Sequence, residues 1–308
     1  MIHLAPRYSS QLVLGDRHVT VKPGPETVYT QVLSQNETVK PADVHAVWFP
    51  ERPGEKGLAE GIVVLFFQGG GFVTATDPGK TGAIPSRVFT DHLSSSKQVY
   101  TLWAQYRLAR NEESRFPAAL QDVVTFYKYL LDLGVPAENI IISGESAGGN
   151  LVSGLLRYIE ETQTLPTPRG ALAWSPWVDI SEPALAEYKR NPRRKTDILN
   201  MGMIEWGVGA YPPLSRTAED DCYLQPVEHP FSTKTPLVVS VGTAELLYHE
   251  VKVFSERMQN VKGNRIEYIE TRAAPHDLLL NCYLTGLTGE AEHVAEKAGK
   301  FLRVDGSS

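Results

Sequence analysis

Residues 139–150 read NIIISGESAGGN. The first part, 139–143, is a short apolar run of the kind that forms a buried strand. A helix pattern follows over 146–159, and Gly144-Glu145-Ser146-Ala147-Gly148 lies between the two. G-x-S-x-G at a strand-to-helix junction is a sharp turn that holds its serine in a strained conformation between small neighbours. Such a turn lifts Ser146 above a sheet at a helix N-terminus, where backbone N–H groups favour developing negative charge. The pentapeptide alone also occurs in glycine-rich turns without chemistry. The strand before it and the helix after it favour Ser146 as a nucleophile.

On both sides of this turn, strand and helix patterns alternate through the middle of the chain. Strand candidates are 27–33, 44–49, 62–67, 99–103, 139–143, 171–174, 237–241 and 265–270. Several are continuous apolar runs, as expected for strands covered on both faces. Helix patterns fall at 86–93, 117–133, 146–159, 249–259 and 290–301. In the second of these, Ala119, Val123, Phe126, Tyr127 and Leu130 share one face. The expected fold is α/β: a mostly parallel sheet flanked by helices. The first two strands have no helix between them, so an antiparallel start is expected. No internal repeat interrupts the 1–308 chain, which reads as one domain. Residues 181–230 break the alternation and read as an insertion folded over the sheet edge.

Composition narrows the function. The 308 residues carry 30 basic and 36 acidic side chains, a net charge of −6 with His neutral. Such a chain has no electrostatic reason to seek nucleic acid. Lys189, Arg190, Arg193, Arg194 and Lys195 form the one dense basic cluster and read as a solvated loop rather than a phosphate or lipid site. Cys222 and Cys282 lack metal-ligand or CxxC spacing and read as free thiols. No apolar run reaches the roughly 18 residues of a membrane span. The start, MIHLAPRYSSQ, lacks the apolar stretch of a signal peptide, so a cytoplasmic location is expected. Asn36-Glu37-Thr38 is a sequon that reads as chance. A homodimer stays open.

A serine hydroxyl needs a base to take its proton. In strand–helix folds of this kind the order is Ser, acid, His. His276 lies in a loop just after the last strand candidate, where catalytic groups gather. His249 and His293 read as surface residues. Glu245 lies just past the preceding strand and reads as the acid that would orient the imidazole. Glu250 and Asp277 are its alternatives. Donors for a tetrahedral oxyanion are expected from Ala147, just after the nucleophile, and from Gly70 and Gly71. The latter lie in Gln68-Gly69-Gly70-Gly71-Phe72, directly after the apolar run 62–67, and the whole stretch reads as a substrate loop. No metal or cofactor is called for.

GGGF at 69–72, YRLA at 106–109, FPAALQD at 116–122, GESAGGN at 144–150 and SPWVDIS at 175–181 together resemble the hormone-sensitive-lipase-like branch of the α/β-hydrolases. Within it the chain looks most like fungal esterases of the steryl-acetyl-hydrolase-like group. The resemblance runs from about residue 45 to the C-terminus. It implies an α/β-hydrolase fold and an ester hydrolase with Ser146, Glu245 and His276 as triad and Gly70, Gly71 and Ala147 as oxyanion donors. The substrate it implies is a small-molecule ester, a short acyl group on a bulky alcohol or a fungal secondary metabolite. Lactone, amide and ring-forming chemistry share the same acyl-enzyme, and a non-catalytic receptor is a further reading of the fold. It also implies a cap built from residues 1–25 and 181–230, and structural roles for Arg107 and Asp122. Two positions depart from the family pattern. Gln68 stands where His is usual, and Glu245 where Asp is usual. Gln can still give and take hydrogen bonds but cannot carry charge near neutral pH, so altered loop geometry or substrate choice is expected, with the mechanism kept.

Overall fold

In β3 (Ile62–Phe67) every side chain is buried: Ile62, Val64 and Phe66 enter one apolar core, and Val63, Leu65 and Phe67 enter the other. Period-two alternation makes both faces of the strand dry, which is why the sequence shows an unbroken apolar run. The computed structural model describes residues 14–305. The other strands are β1 (His18–Val21), β2 (Val44–Phe49), β4 (Val99–Gln105), β5 (Ile140–Glu145), β6 (Gly170–Trp174), β7 (Leu237–Gly242) and β8 (Ile266–Thr271). They form one sheet in the order β1-β2-β4-β3-β5-β6-β7-β8. The pairings β1/β2 and β2/β4 are antiparallel, and all those from β4 to β8 are parallel.

The helices divide between the faces. Those of seven residues or more among the described residues are α1 (Ala83–His92), α2 (Ala118–Asp132), α3 (Ala147–Thr162), α4 (Glu182–Arg190), α5 (Met201–Ala210), α6 (Ala218–Leu224), α7 (Tyr248–Gln259), α8 (Leu278–Thr285) and α9 (Thr288–Phe301). Helices α1, α8 and α9 bury Val88, Phe89, Leu279, Ala295 and Ala298 in the core that holds Phe66 and Trp103. Helices α2, α3 and α7 bury their apolar stripes in the core that holds Phe67 and Ile142. All five residues of the predicted α2 face, Ala119, Val123, Phe126, Tyr127 and Leu130, lie there. Each fully buried large side chain contributes roughly 1.5–3 kcal/mol.

The expected strand at 27–33 is not one. Two 3₁₀ turns, Glu26–Val28 and Gln31–Leu33, take its place, and the first strand is β1. Pro25 precedes the first turn and Gln31 is left-handed with φ 51°, which breaks an extended run. The apolar residues still pack inward, and the Tyr29 hydroxyl is 2.7 Å from Thr125 Oγ1 in α2. The antiparallel start exists, between β1 and β2. Helix α8 was not expected. Its sequence, LLLNCYLT, is apolar around most of its circumference and carries no helical period, but Asp277 caps it by accepting the Leu280 N–H.

Residues 181–230 hold α4, a 3₁₀ turn (Pro192–Lys195), α5 and α6. Side-chain caps start all three helices: Ser181, Asn200 and Thr217 accept backbone N–H groups of Ala184, Gly202 and Asp220. Of the 1–25 segment, residues 1–13 lie outside the described residues, as does the stretch read for targeting. Among the described residues, no helix is long and apolar enough to cross a membrane. Arg107 pairs with the buried Asp122 and donates to the Lys40 and Ala118 carbonyls, a bracing arrangement.

Parallel pairing brings five chain segments together. Strands β3, β5, β6, β7 and β8 all end on one edge, so the residues just past each strand end meet there. They are the Gln68–Phe72 loop, Ser146, Ser175, Glu245 and His276.

Candidate active site

The strand-to-helix turn is built by close contact. Ser146 has φ 53° and ψ −117° and precedes the first turn of α3. A non-glycine residue with positive φ and this ψ is strained and persists only where its surroundings force it. Here the neighbours do. A Cβ on Gly148 would lie 2.0 Å from the Phe67 carbonyl oxygen, and one on Gly144 would lie 2.4 Å from that of Gly148. The Ser146 N–H donates to the Trp174 carbonyl at 2.9 Å, and its own carbonyl accepts from Trp177 N–H at 2.9 Å. Strands β3 and β6 therefore grip the turn from both sides.

The glycine loop lies beside it because β3 and β5 are neighbours, with Phe67 opposite Gly144. Gly70 has φ 99°, Gly71 61° and Phe72 64°. The Gly70 carbonyl accepts the Val73 and Thr74 N–H groups, which closes the turn. The backbone N–H of Gly69 donates to the Glu145 carboxylate. The backbone N–H groups of Gly70, Gly71 and Ala147 have no acceptor among the hydrogen bonds of the described residues, so they are available to a ligand. Gln68 is buried, and its Oε1 accepts the N–H and hydroxyl of Thr76, each at 3.2 Å. The Tyr106 hydroxyl donates to the Gln68 carbonyl at 2.8 Å. Gln68 thus braces the far side of the loop. Phe72 stacks on Tyr211 of the insertion with ring centroids 3.6 Å apart.

Glu245 and His276 meet as the order of motifs suggested. His276 Nδ1 is 3.0 Å from Glu245 Oε2, and both side chains are buried. The other Glu245 oxygen accepts the Ser175 hydroxyl at 2.7 Å and the Gly242 N–H. Burial pushes the Glu245 carboxyl up, and the hydrogen bonds from His276, Gly242 and Ser175 oppose that. For His276, burial works against the charged ring. The hydrogen bond and charge of Glu245, with the charges of Asp197 and Asp277, outweigh it and raise the imidazole to about 9. His276 Nε2 is buried with no hydrogen-bond partner, and none joins it to Ser146 Oγ. In unliganded sites such contacts are often long and tighten on substrate binding.

The alternatives fall elsewhere. Glu250 lies in α7, where burial raises its carboxyl to about 8 beside Tyr188 and Asp179. Asp277 adjoins His276 but caps α8, and burial raises it to about 6. His249 and His293 are exposed. Four contacts had no assigned role in the sequence. Glu145, the variable residue of the pentapeptide, carries a carboxyl that burial, then the Asp277 charge, pushes well up. Tyr106 buttresses the glycine loop. Ser175, within the SPWVDIS stretch, bridges Glu245 and the Asp277 N–H. Asp197 carries no local signal at all. The basic cluster is mostly exposed, as expected, but Arg193 is half-buried and donates to the Thr243 carbonyl at 3.1 Å.

The insertion also meets the glycine loop. A Cβ on Gly207 of α5 would lie 2.5 Å from the Gly71 carbonyl oxygen, and Thr74 Oγ1 is 3.6 Å from Met203 Sδ.

Comparison with known proteins agrees with this architecture. A family described as alpha/beta hydrolase fold matches residues 64–280. An acetyl-hydrolase of Streptomyces hygroscopicus is 27% identical over 249 residues, which cover 79% of this chain and 76% of that protein. Steryl acetyl hydrolase 1 of Saccharomyces cerevisiae is 22% identical over 64% of this chain and 48% of its own length. The crystal structure of EstE5 soaked with p-nitrophenyl butyrate superposes with a TM-score of 0.68 at 25% identity, covering 84% of this chain and 82% of that one.

Proposed function

The chain belongs to the alpha/beta hydrolase fold family, and from that premise we propose that it is a serine esterase acting through an acyl-enzyme on Ser146. Relatives named esterase, acetyl-hydrolase and carboxylesterase support a carboxylic ester hydrolase. The observation that carries the serine mechanism is the sharing of one sheet edge by the strained Ser146 turn and the Glu245–His276 pair at 3.0 Å.

In the proposed reaction Ser146 Oγ attacks the ester carbonyl and gives its proton to His276 Nε2. Nδ1–H stays on Glu245, which holds the tautomer and stabilises the imidazolium. The N–H groups of Gly70, Gly71 and Ala147 receive the oxyanion. The tetrahedral intermediate collapses, and the alcohol leaves with the proton from Nε2. Water then attacks the acyl-enzyme and gives a proton to His276 Nε2, which returns it to Ser146 Oγ as the second intermediate collapses and the acid departs. Each step balances with residues of the chain and water.

A small-molecule ester with a short acyl group is the preferred substrate in this reading. The close approach of α5 to the glycine turn supports it, as does the acetyl-hydrolase relative. A bulky alcohol, as in the steryl acetyl hydrolase, is its finer form. Residues 181–230 serve as the cap that shapes the alcohol side.

The test is a panel of p-nitrophenyl acetate, butyrate and octanoate with steryl acetate. Acetate and butyrate should be hydrolysed and Ser146→Ala should be inactive. A Ser146→Ala enzyme that keeps activity would sink the mechanism. A wild-type protein inert to every ester and to a lactone and amide panel would sink the esterase reading in favour of a receptor.

A further inference from the structure

We propose that Asp197, in the insertion between β6 and β7, is a positioning residue that holds the Glu245 loop and the His276 loop in register. The inference rests on the reading of Glu245 and His276 as acid and base. One carboxylate spans both loops. Its Oδ1 accepts the backbone N–H of His276 at 2.8 Å, and its Oδ2 accepts that of Leu246 at 2.6 Å. The donors are the base itself and the residue directly after the acid. Oδ1 also accepts the Ile198 N–H at 2.8 Å, which fixes the carboxylate plane to its own backbone. Charge-assisted hydrogen bonds of this kind are short and strong.

The segment around Asp197 is docked in the same place. Thr196 Oγ1 donates to the Ala244 carbonyl at 3.2 Å, and Arg193 Nε to that of Thr243 at 3.1 Å. The Arg193 guanidinium also lies 4.6 Å from the centre of the Tyr248 ring. These contacts hold the acid loop only. Among them Asp197 alone reaches the base loop.

The chain leaves a place for that reach. Backbone bonds tie the two loops as far as Ala274, whose carbonyl accepts the Ala244 N–H at 3.1 Å. Pro275 then has no N–H to give. The next donor along the chain is the His276 N–H, and Asp197 takes it. Without Asp197 the His276 N–H would lose its acceptor, and the base would be held by its ring contact with Glu245, by the helix cap at Asp277, by the Asp277 N–H on Ser175 and by Asn281 on the His276 carbonyl. The imidazole faces four carboxyl groups, those of Glu145, Glu245, Asp277 and Asp197. Asp197 is the one brought by the insertion, so the segment placed over the site also orients the groups beneath it.

The test uses the full chain with Asp197→Asn, Asp197→Ala and Thr196→Val, with Ser146→Ala and His276→Ala as references. Asp197→Asn keeps the shape and one acceptor oxygen, so it remains informative should the alanine variant fold poorly. The expected result on p-nitrophenyl acetate is a kcat lower by about 10²-fold, as for a misplaced base, with KM little changed. The acid limb of kcat/KM should move to lower pH, because a negative charge near the imidazolium is gone. Thr196→Val should stay near the parent enzyme in both respects. An Asp197→Asn enzyme with parental kcat and an unmoved pH profile would overturn the proposal, and so would a Thr196→Val enzyme equally impaired. A His276→Ala enzyme that stays active would instead refute the reading beneath it.

Discussion

Ser146 is held by its own turn. Its strained φ is enforced by contacts of Gly144 and Gly148 with backbone that lies within the turn or on the adjoining strands. His276 is held from far away. Its ring rests on Glu245, which is held in turn by Ser175 and Gly242, and its N–H rests on Asp197. Steric exclusion fixes one half of the site, and hydrogen bonds from separate chain segments assemble the other. Each half is therefore vulnerable in its own way. A methyl group is enough to break the first, whereas the second fails by loss of a carboxylate.

The largest effect should come from the assembled half. Glu245→Gln keeps the shape but removes the charge that fixes the tautomer, and kcat should fall about 10³–10⁴-fold. Glu245→Asp, which restores the family's usual acid, should retain far more activity in the same assay. The pH dependence comes next. His276 must be neutral to accept a proton, and its raised value of about 9 means that kcat/KM should climb about tenfold per pH unit up to that value and then level. From pH 7 to 9 the rise is therefore about 50-fold. Stopped assays over pH 6–10 would show it, and a flat profile would mean that the Glu245 and Asp197 charges do not act on the ring. In the steric half, Gly148→Ala should cost about 1–3 kcal/mol of stability from the forced shift of Phe67, read by urea unfolding. A neutral result would show that the turn relaxes freely. The smallest effect is expected at the loop brace. Gln68→Ala frees Thr76 from two hydrogen bonds and should lower kcat by about tenfold, or 1.4 kcal/mol, while Gln68→His should stay closer to the parent.

The same division explains what could be read from the sequence. The turn at Ser146 and the glycine loop are local, so 139–150 and 68–72 disclosed them. Strand β3 falls on the expected residues because both its faces are dry and leave a continuous apolar run, and β2 does so although the partly buried His45 interrupts its run. Glu245 and His276 were legible through their places after β7 and β8. Their supports were not. Asp197 lies 79 positions from His276 and Ser175 lies 70 from Glu245, and no spacing rule joins them. The strand expected at 27–33 failed for a related reason. Its apolar residues fall in adjacent pairs, Val28–Tyr29 and Val32–Leu33, rather than alternating, and with Gln31 left-handed and Tyr29 packed on α2 they form two short helical turns. Gln68 began as an anomaly of composition. It is buried and bonded to Thr76 behind the loop, so exchange for His is expected to change the hydrogen bonding there and to keep the proposed chemistry.

An activated Ser146 served by His276 should react with a fluorophosphonate. Fluorophosphonate labelling followed by mass spectrometry of the digested protein tests it most directly. The wild-type protein should carry one covalent adduct, on Ser146, absent in Ser146→Ala and strongly slowed in His276→Ala. An unlabelled wild-type protein, or an adduct on any other residue, would contradict it.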